Sequence, residues 1–188
     1  MGATDQIIPE EVKSRLLRTE QDPRPVVVMT CGIAGSGKST LSKAIAASYP
    51  SFTRISIDQI IASRHGLYGV DYPPSAHAAF ELEADEIYDT TFRQLLKEGK
   101  DIMLDRSHYA RADRDAVLAE VEKAGARRVL VYFKAERDVL WKRICERKAK
   151  EASADGDGAL EIGEELLDRY VAGFDVPDGE GEIVIEVK

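Results

Sequence analysis

Cys31-Gly32-Ile33-Ala34-Gly35-Ser36-Gly37-Lys38-Ser39-Thr40 decides how the rest of the chain is read. Ahead of it runs Val26-Val27-Val28-Met29, a β-branched strand pattern, and behind it Leu41-Ser42-Lys43-Ala44-Ile45-Ala46-Ala47, a helix-forming run. Gly32, Gly37, Lys38 and Ser39 fill the phosphate-loop pattern G-x-x-x-x-G-K-[ST] in the strand–loop–helix context that pattern requires. Glycines let the backbone turn its N–H groups inward around a polyphosphate, and a helix starting near Lys38 aims its positive dipole end at the same oxygens. The expected nucleotide contacts are Gly32, Ala34, Gly35, Ser36, Gly37, Lys38, Ser39 and Thr40. Lys38 is expected to reach the β- and γ-phosphates, and the Ser39 hydroxyl to hold Mg²⁺. ATP with Mg²⁺ is the implied ligand pair, because the chain has no Asn-Lys-x-Asp run that would read guanine.

The chain has 188 residues, 44% apolar and 32% charged, which suits one domain with a real core. It has no long apolar run and no secretory pattern, so neither a membrane span nor a membrane partner is expected. Two cysteines, Cys31 and Cys145, make no disulfide framework, and a reducing, cytoplasmic setting follows. Cys31 is expected to pack beside the loop rather than react. The net charge of −8 argues against a general nucleic-acid binder, which needs a basic field. The charge is uneven: seven Lys/Arg against three Asp/Glu over 134–150, then two against twelve from 151 onward.

Outward from the loop, strands alternate with helices. Strands are expected at 26–30, 52–57, 101–104, 128–133 and 183–187. Helices are expected at 38–48, 59–64, 75–97, 112–124, 136–150 and 161–173, with a mobile loop at 153–158. Residues 1–25 read as an appendage in which Pro9 opens a short helix and Ile8, Val12 and Leu16 share one face. The alternation predicts a parallel sheet with helices on both faces, and ligands on such sheets sit beyond the carboxyl ends of the strands. Asp58 follows strand two, facing the γ-phosphate, where a carboxylate can take a proton from an attacking hydroxyl or simply cap the next helix. Asp105 ends strand three and is a second Mg²⁺ partner beside Ser39, or a cap for the next turn. Arg143 and Arg147, four apart, share a face of the basic helix. A lid over about 136–160 that brings them to the transferring phosphate is one reading, and a solvated helix face is the other.

Gly32–Thr40, Ile55-Ser56-Ile57-Asp58, Leu104-Asp105-Arg106-Ser107, Arg111–Arg114 and Trp141-Lys142-Arg143…Arg147 together resemble the phosphate-loop kinases related to polynucleotide 5′-kinase and zeta toxin. Members of that group are often described as AAA-type ATP-binding proteins. The resemblance runs over 26–188. It implies a three-layer α/β fold with a five-stranded parallel sheet of order 2-3-1-4-5 and a helical lid, Asp58 as general base, and Arg143 and Arg147 holding phosphates. Two positions depart from the polynucleotide kinases. Asp105-Arg106-Ser107 stands where Asp-Thr-Asn is common, and Ile61 stands where an arginine follows the base by three. With the acidic charge, this favours a small or medium-sized acceptor, such as a sugar or nucleotide-sugar, over a polynucleotide 5′-hydroxyl.

Arg64, His65, Tyr68, Tyr72, Arg106, His108 and Arg111 are the candidate acceptor contacts. Loop tyrosines can stack on a ring, or pack locally. The three histidines lack metal-ligand spacing, and Trp141 is expected to pack under the lid. A kinase with catalytic Asp58, Lys38, Arg143 and Arg147 is the leading expectation. An ATPase switch acting through a protein partner is the alternative, with Gln59 as its water-orienting candidate.

Overall fold

The computed structural model describes residues 7–151 and 162–188. Five strands form one all-parallel sheet, β1 (Val26–Cys31), β2 (Phe52–Ser56), β3 (Asp101–Asp105), β4 (Arg127–Ala135) and β5 (Ile183–Val187), in the order β2-β3-β1-β4-β5. The sequence expectation for class, strand number and order therefore holds. β1 lies at the centre and every one of its residues is buried, as its unbroken apolar run requires of a strand covered on both faces.

Alternation along the strands divides the core. Val26, Val28, Met103, Val129 and Val131 point to one face, against α2 (Lys38–Ser48) through Leu41, Ala44 and Ile45. Val27, Ile102 and Leu104 point to the other, against Tyr88, Phe92 and Leu96 of α4 (His77–Lys97) and Val121 of α5 (Arg111–Lys123). A 3₁₀ turn, Pro74–Ala76, precedes α4. α4 ends with Gly99 at φ +65°, where the N–H groups of Gly99 and Lys100 return to the Leu96 and Leu95 carbonyls, a left-handed stop suited to glycine.

The N-terminal segment forms one short helix, α1 (Glu10–Lys13), whose flanking turns place Ile8, Val12 and Leu16 in the same core as Val28 and Ile45. Arg18 fastens it to Asp101 and the Gly99 carbonyl, and Arg127 donates to the Arg15 and Leu17 carbonyls.

β2 is shorter than its alternation suggests. It stops at Ser56, and α3 (Ile57–His65) begins at once. Ser56 keeps an extended backbone at the N-cap position, and Asp58 falls in the first helical turn, where a negative charge meets the positive end of the dipole. The expected lid starts with α6 (Arg137–Glu151), and α7 (Glu164–Gly173) follows. Leu140 and Ile144 of α6 meet Leu167 of α7 and Ile162 in a separate cluster, with Trp141 packed against it as expected. Arg137 ties the two helices through Asp168 (2.8 Å) and Glu164 (2.7 Å). Residues 152–160 of the expected lid, including the loop expected at 153–158, lie outside the described residues.

Candidate active site

The phosphate loop leaves the top of β1 and enters α2. Gly37, the N-cap of α2, has φ +101°, a left-handed conformation that glycine adopts without strain. The Gly32 N–H donates to the Ser107 carbonyl (3.1 Å), which joins the loop to the segment after β3. Lys38 folds back over the loop and its Nζ donates to the Ile33 carbonyl (2.9 Å). Burial lowers the Lys38 pKa to about 8, against the opposing charges of Asp105, Cys31 and Asp58. Burial likewise pushes the Cys31 thiol up to about 11, so that side chain packs and stays a thiol.

Parallel pairing sets Ser56 beside Asp105, so the ends of β2 and β3 deliver their acids to one place. Asp105 Oδ1 accepts from the Ser39 hydroxyl (3.2 Å). Two oxygens from loop and strand thus converge, a donor set that fits Mg²⁺, which takes one or two protein oxygens and completes its shell with water and phosphate. Among the described residues no group of three or more His, Cys, Asp or Glu competes as a metal site. The other oxygen, Oδ2, accepts from Arg54 Nε (2.9 Å) and Nη2, while Arg54 Nη1 reaches Gln59 Oε1 (2.6 Å). The sequence reading passed over Arg54. Its signal was available: a charge at the same strand parity as the buried Phe52 and Ser56 needs a carboxylate on the neighbouring strand. Gln59, the water-orienting candidate of the switch reading, is engaged by this arginine.

Asp58 opens into the cleft. The surrounding walls, and then the charge of Asp105, raise its pKa above the ordinary carboxylate value, while Lys38, Arg54 and His77 pull the other way. Arg143 and Arg147 enter from α6 and line the same cleft. Arg143 also donates to the Lys188 backbone oxygen (3.0 Å). α6 packs directly on the loop: a side chain at Gly35 would meet Ile144 and the Leu140 carbonyl at 3.1–3.2 Å.

The cleft has a volume of about 1020 Å³. Its far wall is the face of α4 that carries Ala78, Glu81, Leu82 and Asp85, four positions at helical spacing. Arg106, Ser107 and Tyr109 close it from the loop after β3, and Tyr170 from α7. Of the expected acceptor contacts, only Arg106 lines this cleft. Arg64 and His65 instead share Glu83 (2.6 and 2.7 Å), and His65 stacks on Phe80. Tyr68 and Tyr72 join His77 in an aromatic cluster, with the Tyr72 hydroxyl 2.9 Å from His77 Nδ1. Arg111 is exposed beside Asp115. His108 is buried with φ +40°, its Nδ1–H donating to the Thr30 carbonyl (2.7 Å), and burial lowers its pKa to about 4. Arg114, next along that segment, is fully buried in a two-bond pair with Glu180. Spacing alone could not separate these structural roles from contact with a ligand. The α4 wall was not singled out from the sequence, because Ala78, Glu81, Leu82 and Asp85 match no ligand-binding motif.

The sheet order and the loop entering α2 define a phosphate-loop NTPase fold. Residues 27–177 match the AAA domain family AAA_33, and the chain belongs to that family. A search of curated proteins finds no match. Among solved structures the chain is similar to a putative kinase from Chloroflexus aurantiacus (18% identity, 87% of this chain and 88% of that one, TM-score 0.64). It is also similar to a gluconokinase from Sinorhizobium meliloti (20%, 88% and 83%, TM-score 0.57) and to a chain of the Pnkp1/Rnl/Hen1 RNA repair complex (18%, 80% and 44%, TM-score 0.61). Among the described residues no helix is long and apolar enough to cross a membrane.

The two shifted groups predict a pH profile with two limbs. With Asp58 as the expected base, transfer needs its ionised form and should rise as pH climbs through its raised pKa. With Lys38 as the expected phosphate contact, which must be charged to serve, nucleotide affinity should fall as pH climbs through about 8. Measured from pH 5 to 10, kcat/KM for ATP should trace both limbs, and Lys38→Arg should remove the fall near pH 8.

Proposed function

We propose that this chain is an ATP-dependent kinase that transfers the γ-phosphate to a hydroxyl of a small or medium-sized acceptor. The observation that carries the reading is the single cleft holding the phosphate loop on one side and Asp58 on the other, with room beside that carboxylate. The loop N–H groups and Lys38 grip the triphosphate. Asp58 takes the proton of the acceptor hydroxyl as its oxygen attacks in line, and Arg143 and Arg147 face the charge that spreads over the moving phosphoryl group. Ser39 and Asp105 would hold Mg²⁺, which would supply neutralising charge to the phosphates. Asp58 is suited to the base role because the cleft walls raise its proton affinity toward that of the alcohol.

The polynucleotide alternative is disfavoured by the acidic chain and by an acceptor wall that presents Glu81 and Asp85. The ATPase-switch alternative is disfavoured by the engagement of Gln59 with Arg54. Free thiols at Cys31 and Cys145 suit a cytoplasmic setting. The deciding experiment is ADP release with and without added hydroxyl compounds. A kinase should release ADP at least tenfold faster with its acceptor; full turnover on water alone overturns the reading.

A further inference from the structure

We infer that the acceptor alcohol carries no anionic group, and that Glu81, with the Asp85–Arg106 pair, is what turns anionic alcohols away. The inference rests on the kinase reading above and narrows its substrate class.

Charge pairing around the acceptor half of the cleft supports it. Arg54 is committed to Asp105 inside the protein. Arg106, the cation that faces the acceptor space, lies 2.8 Å from Asp85 and stacks over the Tyr88 ring at 5.6 Å. The nearby cations outside the cleft are engaged as well: Arg64 with Glu83, Arg111 with Asp115, Arg114 with Glu180. Two carboxylates remain. Asp58 faces the attacking hydroxyl. Glu81 stands on α4 with His77 Nε2 at 3.4 Å and, among the described residues, has no lysine or arginine paired with it. In the kinase reading the lid arginines belong to the phosphate half. Arg143 reaches over Gly37, and the charge of Arg147 is felt by Lys38.

A phosphate, sulfate or carboxylate on the acceptor would therefore enter a space already negative, with the γ-phosphate adding more. Pockets that select anions do the reverse and present a guanidinium fork or a run of N–H groups. The carbon surface of this half points the same way. Ile57, Ala78, Tyr109, Tyr170 and the exposed Leu82 line it, a wall that suits the ring or chain of an uncharged or amine-bearing alcohol.

The test uses two matched series of acceptors, each offered as the free alcohol, its amine and its phosphate (glucose, glucosamine and glucose 6-phosphate; adenosine, 2′-amino-2′-deoxyadenosine and AMP), with a 5′-hydroxyl oligonucleotide as a further phosphate-bearing member. Phosphate uptake from labelled ATP is read for the intact chain and for Glu81→Lys. The expected result is uptake by free alcohols or amines at least a hundredfold above that of their phosphates. In Glu81→Lys that ratio should narrow at least tenfold, through the acceptor KM rather than kcat. A phosphate-bearing member used as well as its parent, or an unchanged ratio in Glu81→Lys, overturns the inference and leaves the kinase reading standing. Equal ATP turnover with and without every member overturns both.

Discussion

Asp58→Asn is expected to lower kcat for phosphate transfer by about 10²–10⁴-fold, the range that a positioned general base contributes. Asparagine keeps the size and polarity of the side chain at the first turn of α3, so the fold and the cleft should persist. What disappears is the only function the reading assigns to Asp58, acceptance of the hydroxyl proton. The variant should also bind ATP at least as tightly as the parent, because it removes a negative charge from the cleft that the phosphate loop lines. Stopped-flow or equilibrium binding of a fluorescent ATP analogue, set beside steady-state kcat, separates the two effects. A kcat within threefold of the parent would remove Asp58 from the chemistry.

The second large effect is on stability. Arg114 makes two hydrogen bonds to Glu180 (2.8 and 2.7 Å) and donates to the His108 carbonyl (3.0 Å), and both side chains are at most 3% exposed. Arg114→Met leaves the Glu180 carboxylate buried without its donor, and should cost about 3–5 kcal/mol. That is a large part of the ~5–15 kcal/mol that holds a domain together. Arg114→Met with Glu180→Met should recover much of the loss, since paired apolar groups of similar volume avoid the stranded charge. Urea unfolding of the two single variants and the double closes the cycle; a double variant less stable than either single would contradict this account. The bonds from Arg114 hold the Glu180 carboxyl below its ordinary pKa, burial opposing. The contribution of Glu180 to stability is therefore complete above the ordinary glutamate value and is lost as pH falls through the depressed one. In Arg114→Met that acid-side loss should flatten.

The sequence revealed what local rules control. The β-branched run before Gly32, the glycine spacing and the helix formers after Thr40 together dictate strand, loop and helix, and the other strands repeat the alternation. That Asp58 and Asp105 would stand at the strand ends beside the phosphate loop was legible because each directly follows a run of strand-forming residues. The acceptor side was less legible, because it depends on which face of α4 turns toward the cleft. His65, Tyr72 and His108 have the chemistry of ligand contacts and are consumed by local packing. Glu81 and Leu82 look like solvent positions and form a wall. The pairings of Arg54 with Asp105 and of Arg114 with Glu180 could be found only by matching residues 51 and 66 positions apart.

The family match starts at residue 27, yet Ile8, Val12 and Leu16, each no more than 2% exposed, lie upstream of it. A recombinant version trimmed to the matched boundaries would strip three aliphatic plugs from the sheet face behind α2. At ~1.5–3 kcal/mol for each such side chain, the trimmed protein should aggregate or melt far earlier than the parent. Its inactivity would then say nothing about catalysis. Homology boundaries here mark where resemblance begins, and the buried core reaches further toward the N-terminus.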